Sequence, residues 1–351
     1  MTGGNPIVIV GTGARTPLGF SAEASAAAVR AGISAIQDHP YMIDRVGERM
    51  KVTRDAGIDS ALNGPDRLVA IATSPALDAL APLRKTDPST PVALILSTGE
   101  PRPGQDGDFA ARADSQLRAR LSQNVALAGG GSNAGGHAGG MLAIHHGCRL
   151  LQEGKARFCL AGGVDSYLEP ETLEWLDECE QLHSDENTYG FCPGEGAGFC
   201  LMTRLQTARQ LGIQPLLEVL CTSVAFEENK IKTRTVCLGE GLSTAFQLLF
   251  EQAPVDPVDR IICDMNGERY RGNEYGFAVL RNPGRFKDAA DFETPADCWG
   301  DLGAASGPLF VGMVAEAEAR SYSKGPLSLI WTSSENGTRA AMLLGGPRER
   351  R

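Results

Sequence analysis

Short, nearly uninterrupted apolar runs recur along the chain, a pattern expected of strands covered on both faces. Residues 6–10, 92–97 (VALILS), 158–161, 196–203 (GAGFCLMT), 216–224, 260–265, 327–332 and 340–344 all read this way. Helical patterns lie between them. Ser21 caps an alanine-rich helix over 22–30 that stops at Gly32. Further helices are predicted over 66–80, over 109–122 with a solvated Arg/Asp face, over 170–179 as a short acidic helix, and over 241–252. Residues 39–66, 101–108 and 185–195 read as loops, and 204–215 cross to a second half.

The stretch 129–166 organises the rest. A glycine-rich loop leads into a helix that starts close to His137 and ends at Gly154, with Met141, Leu142, Ile144, Leu150 and Leu151 near helical spacing. The strand 158–161 follows and ends on Gly162–Gly163. The free N–H groups at such a helix start favour an electron-rich group, and the residue there is His137. A helix dipole in that position predicts a lowered histidine pKa and a neutral ring. Later, GDLGAASG opens the helix 308–319 as AGGHAGG opens the first, and a turn falls at Asn336–Gly337. The sequence therefore predicts two α/β halves, 1–212 and 213–351, related by a pseudo-two-fold axis. A site is expected where the two buried helix starts converge.

Composition narrows the chemistry. The chain has 351 residues and 42 glycines, and its nine cysteines sit in apolar runs or alone, with no CxxC pair. No signal segment and no bilayer-spanning run is visible, so a reduced, cytoplasmic protein without membrane attachment is expected. A formal net charge of -10 argues against broad nucleic-acid binding. Arg149, Lys155 and Arg157 form a modest basic cluster that reads first as a solvated helix end. Gly11-Thr-Gly13 invites a dinucleotide reading, but Thr16 replaces the third glycine and no ribose-binding acid follows, so no cofactor is expected. His145, His146 and Cys148 read as packing or surface residues. No carboxylate or cysteine stands at ligand spacing to make a metal site with His137.

Five segments resemble β-ketoacyl-acyl carrier protein synthases of the thiolase superfamily. They are VGTGARTPLG, AIHHGCRLLQEGKARFCLAGGV, YGFCPGEGAGFCLM, WGDLGAASG and NGTRAAMLL, in the family's order. The resemblance implies a duplicated α/β/α/β/α layering. It also implies a cysteine nucleophile at the first buried helix start, assisted by two histidines from the second half. His137 falls on the nucleophile position, Asn266 on that of the first histidine and Asp301 on that of the second. Ala296 stands where the family has a lysine, and SSENG replaces its glycine-phenylalanine gate. Gly136, Ala138, Glu335, Asn336 and Gly337 are the expected pocket residues. Intervals around 33–90 and 205–260 are short for the family.

Three readings follow. The first is a partner subunit without condensing activity, like a chain-length factor, working in fatty-acid or polyketide biosynthesis. It would meet an acyl carrier protein or coenzyme A thioester, as a heterodimer with an active ketosynthase or as a homodimer. In the second, His137 is the general base of a thioester hydrolase or acyltransferase. The third is a binding module for a small ligand or a protein.

Overall fold

The computed structural model describes residues 5–253 and 256–347. The first half contributes the strands β1 (Ile7–Arg15), β4 (Val92–Ser97), β5 (Leu127–Asn133), β6 (Phe158–Ser166) and β7 (Glu195–Arg204). The second contributes β8 (Leu217–Phe226), β9 (Arg260–Cys263), β10 (Phe292–Glu293), β11 (Leu327–Ser333) and β12 (Thr338–Gly345). Their order is β5-β4-β6-β7-β1 and β10-β9-β11-β12-β8, so each half repeats one arrangement. Within each half the fourth of these neighbours runs antiparallel to both its flanking strands. A short antiparallel contact, Ile7–Ile9 against Leu217–Val219, joins β1 to β8.

Among the described residues there are ten helices: α1 (Ala22–Arg30), α2 (Gly64–Thr86), α3 (Phe109–Leu121), α4 (Gly139–Gln152), α5 (Pro170–Glu178), α6 (Leu205–Gln210), α7 (Glu240–Gln252), α8 (Arg269–Arg281), α9 (Ala296–Trp299) and α10 (Ser306–Ala319). Strand alternation sorts the core into layers. Val8, Val10, Leu94, Leu96, Leu160 and Phe199 pack outward on α2 and α3. Ile9, Ile95, Ala161 and Met202 pack inward with Ile330 and Met342 on α4 and α10. Ile261, Leu329, Trp331 and Leu343 face α7 and α8. The result is the five-layer α/β/α/β/α architecture expected, with α4 and α10 central.

Most predicted elements stand, with informative exceptions. Residues 37–52 form a hairpin of β2 (Gln37–Ile43) and β3 (Arg49–Val52) where the mixed pattern reads as loop. Its exposed Tyr41, Ile43 and Val46 break the apolar-in alternation that marks a strand. The glycines 129–131 lie in the parallel edge strand β5, not in a loop. The strand at 158 runs through Gly162–Gly163 to Ser166, and α2 is longer at both ends than 66–80. Helix α8 follows a charged stretch and is absent from the reading above. Gly11 and Gly13 permit close packing: a Cβ there would lie 2.1 Å from the Ala79 carbonyl oxygen and 1.9 Å from that of Pro75, on α2. That crossing is why β1 needs its glycines.

Candidate functional site

A three-residue 3-10 turn, Gly136–Ala138, precedes α4, and its counterpart Gly303–Ala305 precedes α10. The first holds His137, and Asp301 stands just ahead of the second. Both side chains are buried, and His137 Nε2 lies 2.9 and 2.8 Å from the two Asp301 carboxylate oxygens. Asp301 Oδ1 also accepts the Gly303 N–H at 2.8 Å, and Oδ2 accepts from Asn266 Nδ2 at 2.6 Å. The second Asn266 contact of that amide nitrogen is to Glu268 Oε2, at 3.1 Å. His137, Asn266 and Asp301 thus form one hydrogen-bonded cluster.

Electrostatics fixes the protonation of this pair. Burial opposes a charged imidazole. The Asp301 charge and hydrogen bond outweigh burial and the nearby Arg271 guanidinium, so the His137 pKa is raised above 6.5. Burial likewise pushes the Asp301 carboxyl up, but His137 and Arg271 hold it well below the carboxylate range. The expectation of a neutral ring is corrected: a carboxylate in direct contact outweighs a helix dipole acting through one short turn. Nε2–H donates to Asp301. Among the described residues the ring's polar contacts all run to that nitrogen: Tyr167 Oη lies 3.4 Å away, and Arg271 Nη2, a donor only, comes within 3.2 Å without a hydrogen bond to the protonated ring.

Several of these neighbours carry no sequence signal of their own. Fully buried Arg271 on α8 donates to Asp264 at 2.9 Å and to the Ser333 carbonyl at 3.0 Å. Arg102 grips Asp165 with two hydrogen bonds, at 2.7 and 3.0 Å, and stacks 3.6 Å from the Tyr167 ring centre. Ser334 Oγ accepts from the Ala138 N–H and donates to the Gly135 carbonyl, so that N–H is already engaged. The density of charge in DMNGERYR, directly after an apolar strand, was the available clue to Asp264, Glu268 and Arg271.

The pocket residues divide. Gly136, His137 and Glu335 line a cavity of about 160 Å³ with Glu100, Tyr167 and Trp175. Glu335 makes no bond to the His137 cluster. It pairs with Lys232, whose ammonium also lies 3.0 Å from Glu268. The Asn336 N–H donates to Glu100 at 3.1 Å, while Gly337, at φ +105°, turns the chain into β12. No thiol occupies the turn before α4. Cys148 is buried within α4, and burial pushes its pKa up to about 12. Cys192 is buried in the segment before β7, where its carbonyl accepts the Asp301 N–H, and its thiol is likewise raised to about 12 by burial and Asp301. Lys155 and Arg149 both pair with Glu153, as a solvated helix end would.

Residues 51–208 match the family model of the β-ketoacyl synthase N-terminal domain. That stretch, a little under half of the chain, resembles the domain, and the chain as a whole has the thiolase-like fold of ketosynthases. It is 31% identical over 159 residues to a non-reducing polyketide synthase of Emericella nidulans, covering 41% of this chain and 6% of that protein. It is 26% identical over 149 residues to polyketide synthase PksN of Bacillus subtilis, covering 40% and 3%. The matched stretch is therefore a small fraction of those relatives. Among solved structures, a type II polyketide ketosynthase in complex with its acyl carrier protein superposes with TM-score 0.80 at 13% identity, covering 98% of this chain and 100% of that one. The ishigamide ketosynthase/chain length factor superposes with TM-score 0.73 at 19% identity, covering 97% and 99%. Among the described residues, no helix is long and apolar enough to cross a membrane.

Proposed function

We propose that this chain is a non-condensing subunit that works beside a competent ketosynthase in fatty-acid or polyketide biosynthesis, in the manner of a chain-length factor. One observation carries the proposal: the position resembling the family's nucleophile holds an imidazole locked by Nε2 to a buried carboxylate. A histidine so paired makes a poor acyl carrier. Asn266, at the position resembling the first catalytic histidine, spends its amide donor on Asp301 and Glu268. The cavity of about 160 Å³ falls below the roughly 300–1,000 Å³ of ordinary ligand pockets. The fold shared with a ketosynthase/chain length factor supports the same reading. An acyl carrier protein or coenzyme A thioester would then be met through the active partner.

Co-expression with a ketosynthase encoded beside it tests the idea. A stable heterodimer is expected, in which condensation depends on the partner's thiol alone. Decarboxylation of a malonyl thioester by this chain by itself would sink the proposal, as would a self-dimer that ignores the ketosynthase.

One feature favours a second reading. The His137 ring has no hydrogen bond at Nδ1 among the described residues, and it lines the cavity, so a His–Asp pair could act as base through that nitrogen. Thioester hydrolysis that rises with pH and disappears in His137→Gln would establish it. Hydrolysis unaffected by that substitution would end it.

A further inference from the structure

A second cluster lies away from His137, where the loop between β8 and α7 meets α8. Glu227 directly follows β8, Cys237 lies on the loop, and Glu274 projects from α8. One ligand atom from each lies within 4.8 Å of the other two. Both carboxylates are fully buried and Cys237 is half-buried. The Glu227 oxygens accept the N–H groups of Asn229 at 3.1 Å and Gly241 at 2.8 Å, leaving each with a second lone pair. Glu274 Oε1 accepts from Arg339 Nε, while Oε2 is buried with no hydrogen-bond partner.

This arrangement lacks a positive charge. Two buried carboxylates so close repel each other; Arg339 is the cation hydrogen-bonded to them, and the Arg271 charge that also reaches Glu274 is already paired with Asp264 and Glu268. Either a proton or a metal cation completes the balance. The thiol favours the metal, because two carboxylate oxygens and one sulfur suit a borderline divalent ion better than calcium or magnesium.

We propose that Glu227, Cys237 and Glu274 bind a zinc ion, with water as the fourth ligand. Zinc bonds of about 2.3 Å to sulfur and about 2.0 Å to oxygen require the three atoms to draw together. The loop carrying Cys237 is exposed over 232–236 and can supply that movement, while both glutamates are held by buried surroundings. The same loop carries Lys232, which bonds Glu335 beside the His137 cavity, so zinc would also set the position of that lysine. The inference does not depend on the functional assignment above.

The test uses the full chain, stripped with a chelator and titrated with Co²⁺. A thiolate-to-cobalt absorption band is expected, saturating at one ion per chain and displaced by Zn²⁺. Cys237→Ser should retain the wild-type far-ultraviolet circular dichroism, lose the band, and lose the rise in melting temperature that Zn²⁺ gives the wild type. No band in folded wild-type protein overturns the site, and so does an equal band in Cys237→Ser. A Glu274→Gln variant that melts at or above wild type in the presence of Zn²⁺ also overturns it, because a shared proton then suffices.

Discussion

The two central helices approach the core along matching backbones and deliver opposite charges. Each is entered through a three-residue turn whose first residue is a glycine at positive φ, Gly136 at +62° and Gly303 at +49°, followed by a 14-residue helix. The first turn contains a histidine, whereas the second is preceded by an aspartate that caps its first N–H. α4 also shows solvent a face that includes His146 and Arg149, while α10 is buried nearly throughout. The comparison separates two demands. Packing between sheets dictates the glycines, the turn and the helix length, and leaves the polar residue at each helix start free to vary. Here the two polar residues complement each other.

The strongest way to break this arrangement is Asp301→Asn, which leaves the imidazole buried without its counter-charge. A loss of roughly 3–5 kcal/mol is expected from urea unfolding. A loss below about 1 kcal/mol would show that the ion pair does not hold the two helix starts together.

Alanine at the paired glycines should separate the two turns next. A Cβ at Gly303 would lie 1.9 Å from Asp165 Oδ2, and Asp165 is fixed by Arg102 and the Ala304 N–H. At Gly136 it would lie 2.5 Å from Glu100 Oε1 and 2.8 Å from its Cγ, a flexible side chain held by one hydrogen bond from the Asn336 N–H rather than by a buried guanidinium. Gly303→Ala should therefore cost about 2–3 kcal/mol and Gly136→Ala about 1 kcal/mol. Equal losses would show that the second turn is no tighter than the first.

A pH series sharpens the charge contrast. The folded His137 pKa is raised from 6.5, so its contribution is complete below pH 6.5 and is lost as pH rises through the folded value. Asp301 is depressed from 3.8, so its contribution is present above pH 3.8 and fades only as the medium becomes more acidic. The stability gap between wild type and His137→Gln should be level from about pH 4 to 6.5 and narrow above that. A gap that widens with rising pH would mean that His137 is held neutral. The smallest effect is expected for Lys232→Ala, under about 1 kcal/mol, because this lysine is partly exposed and touches neither helix start.

The layers could be read from the sequence because apolar runs at 92–97 and 158–161 and the paired glycine motifs report local packing demands. His137 and Asp301 could be placed together because they fall inside or beside the glycine motifs, and Asn266 because it follows an apolar strand where the resembling family has its first histidine. Arg271 could not, since an arginine on a polar-looking helix resembles a surface residue until Asp264 and Ser333 close around it. The His137 charge was misjudged for a related reason. The helix start is local in sequence, whereas the carboxylate that decides its protonation comes from the other half of the chain.

Strand β1 sits at the seam, with β7 on one side and β8 on the other. Ile7 lies opposite both Arg204 and Val219, so this segment finds its partners only after the rest of the first half has been made. Until then its apolar residues stay unclaimed, and closure of that seam belongs among the late, slow events of folding.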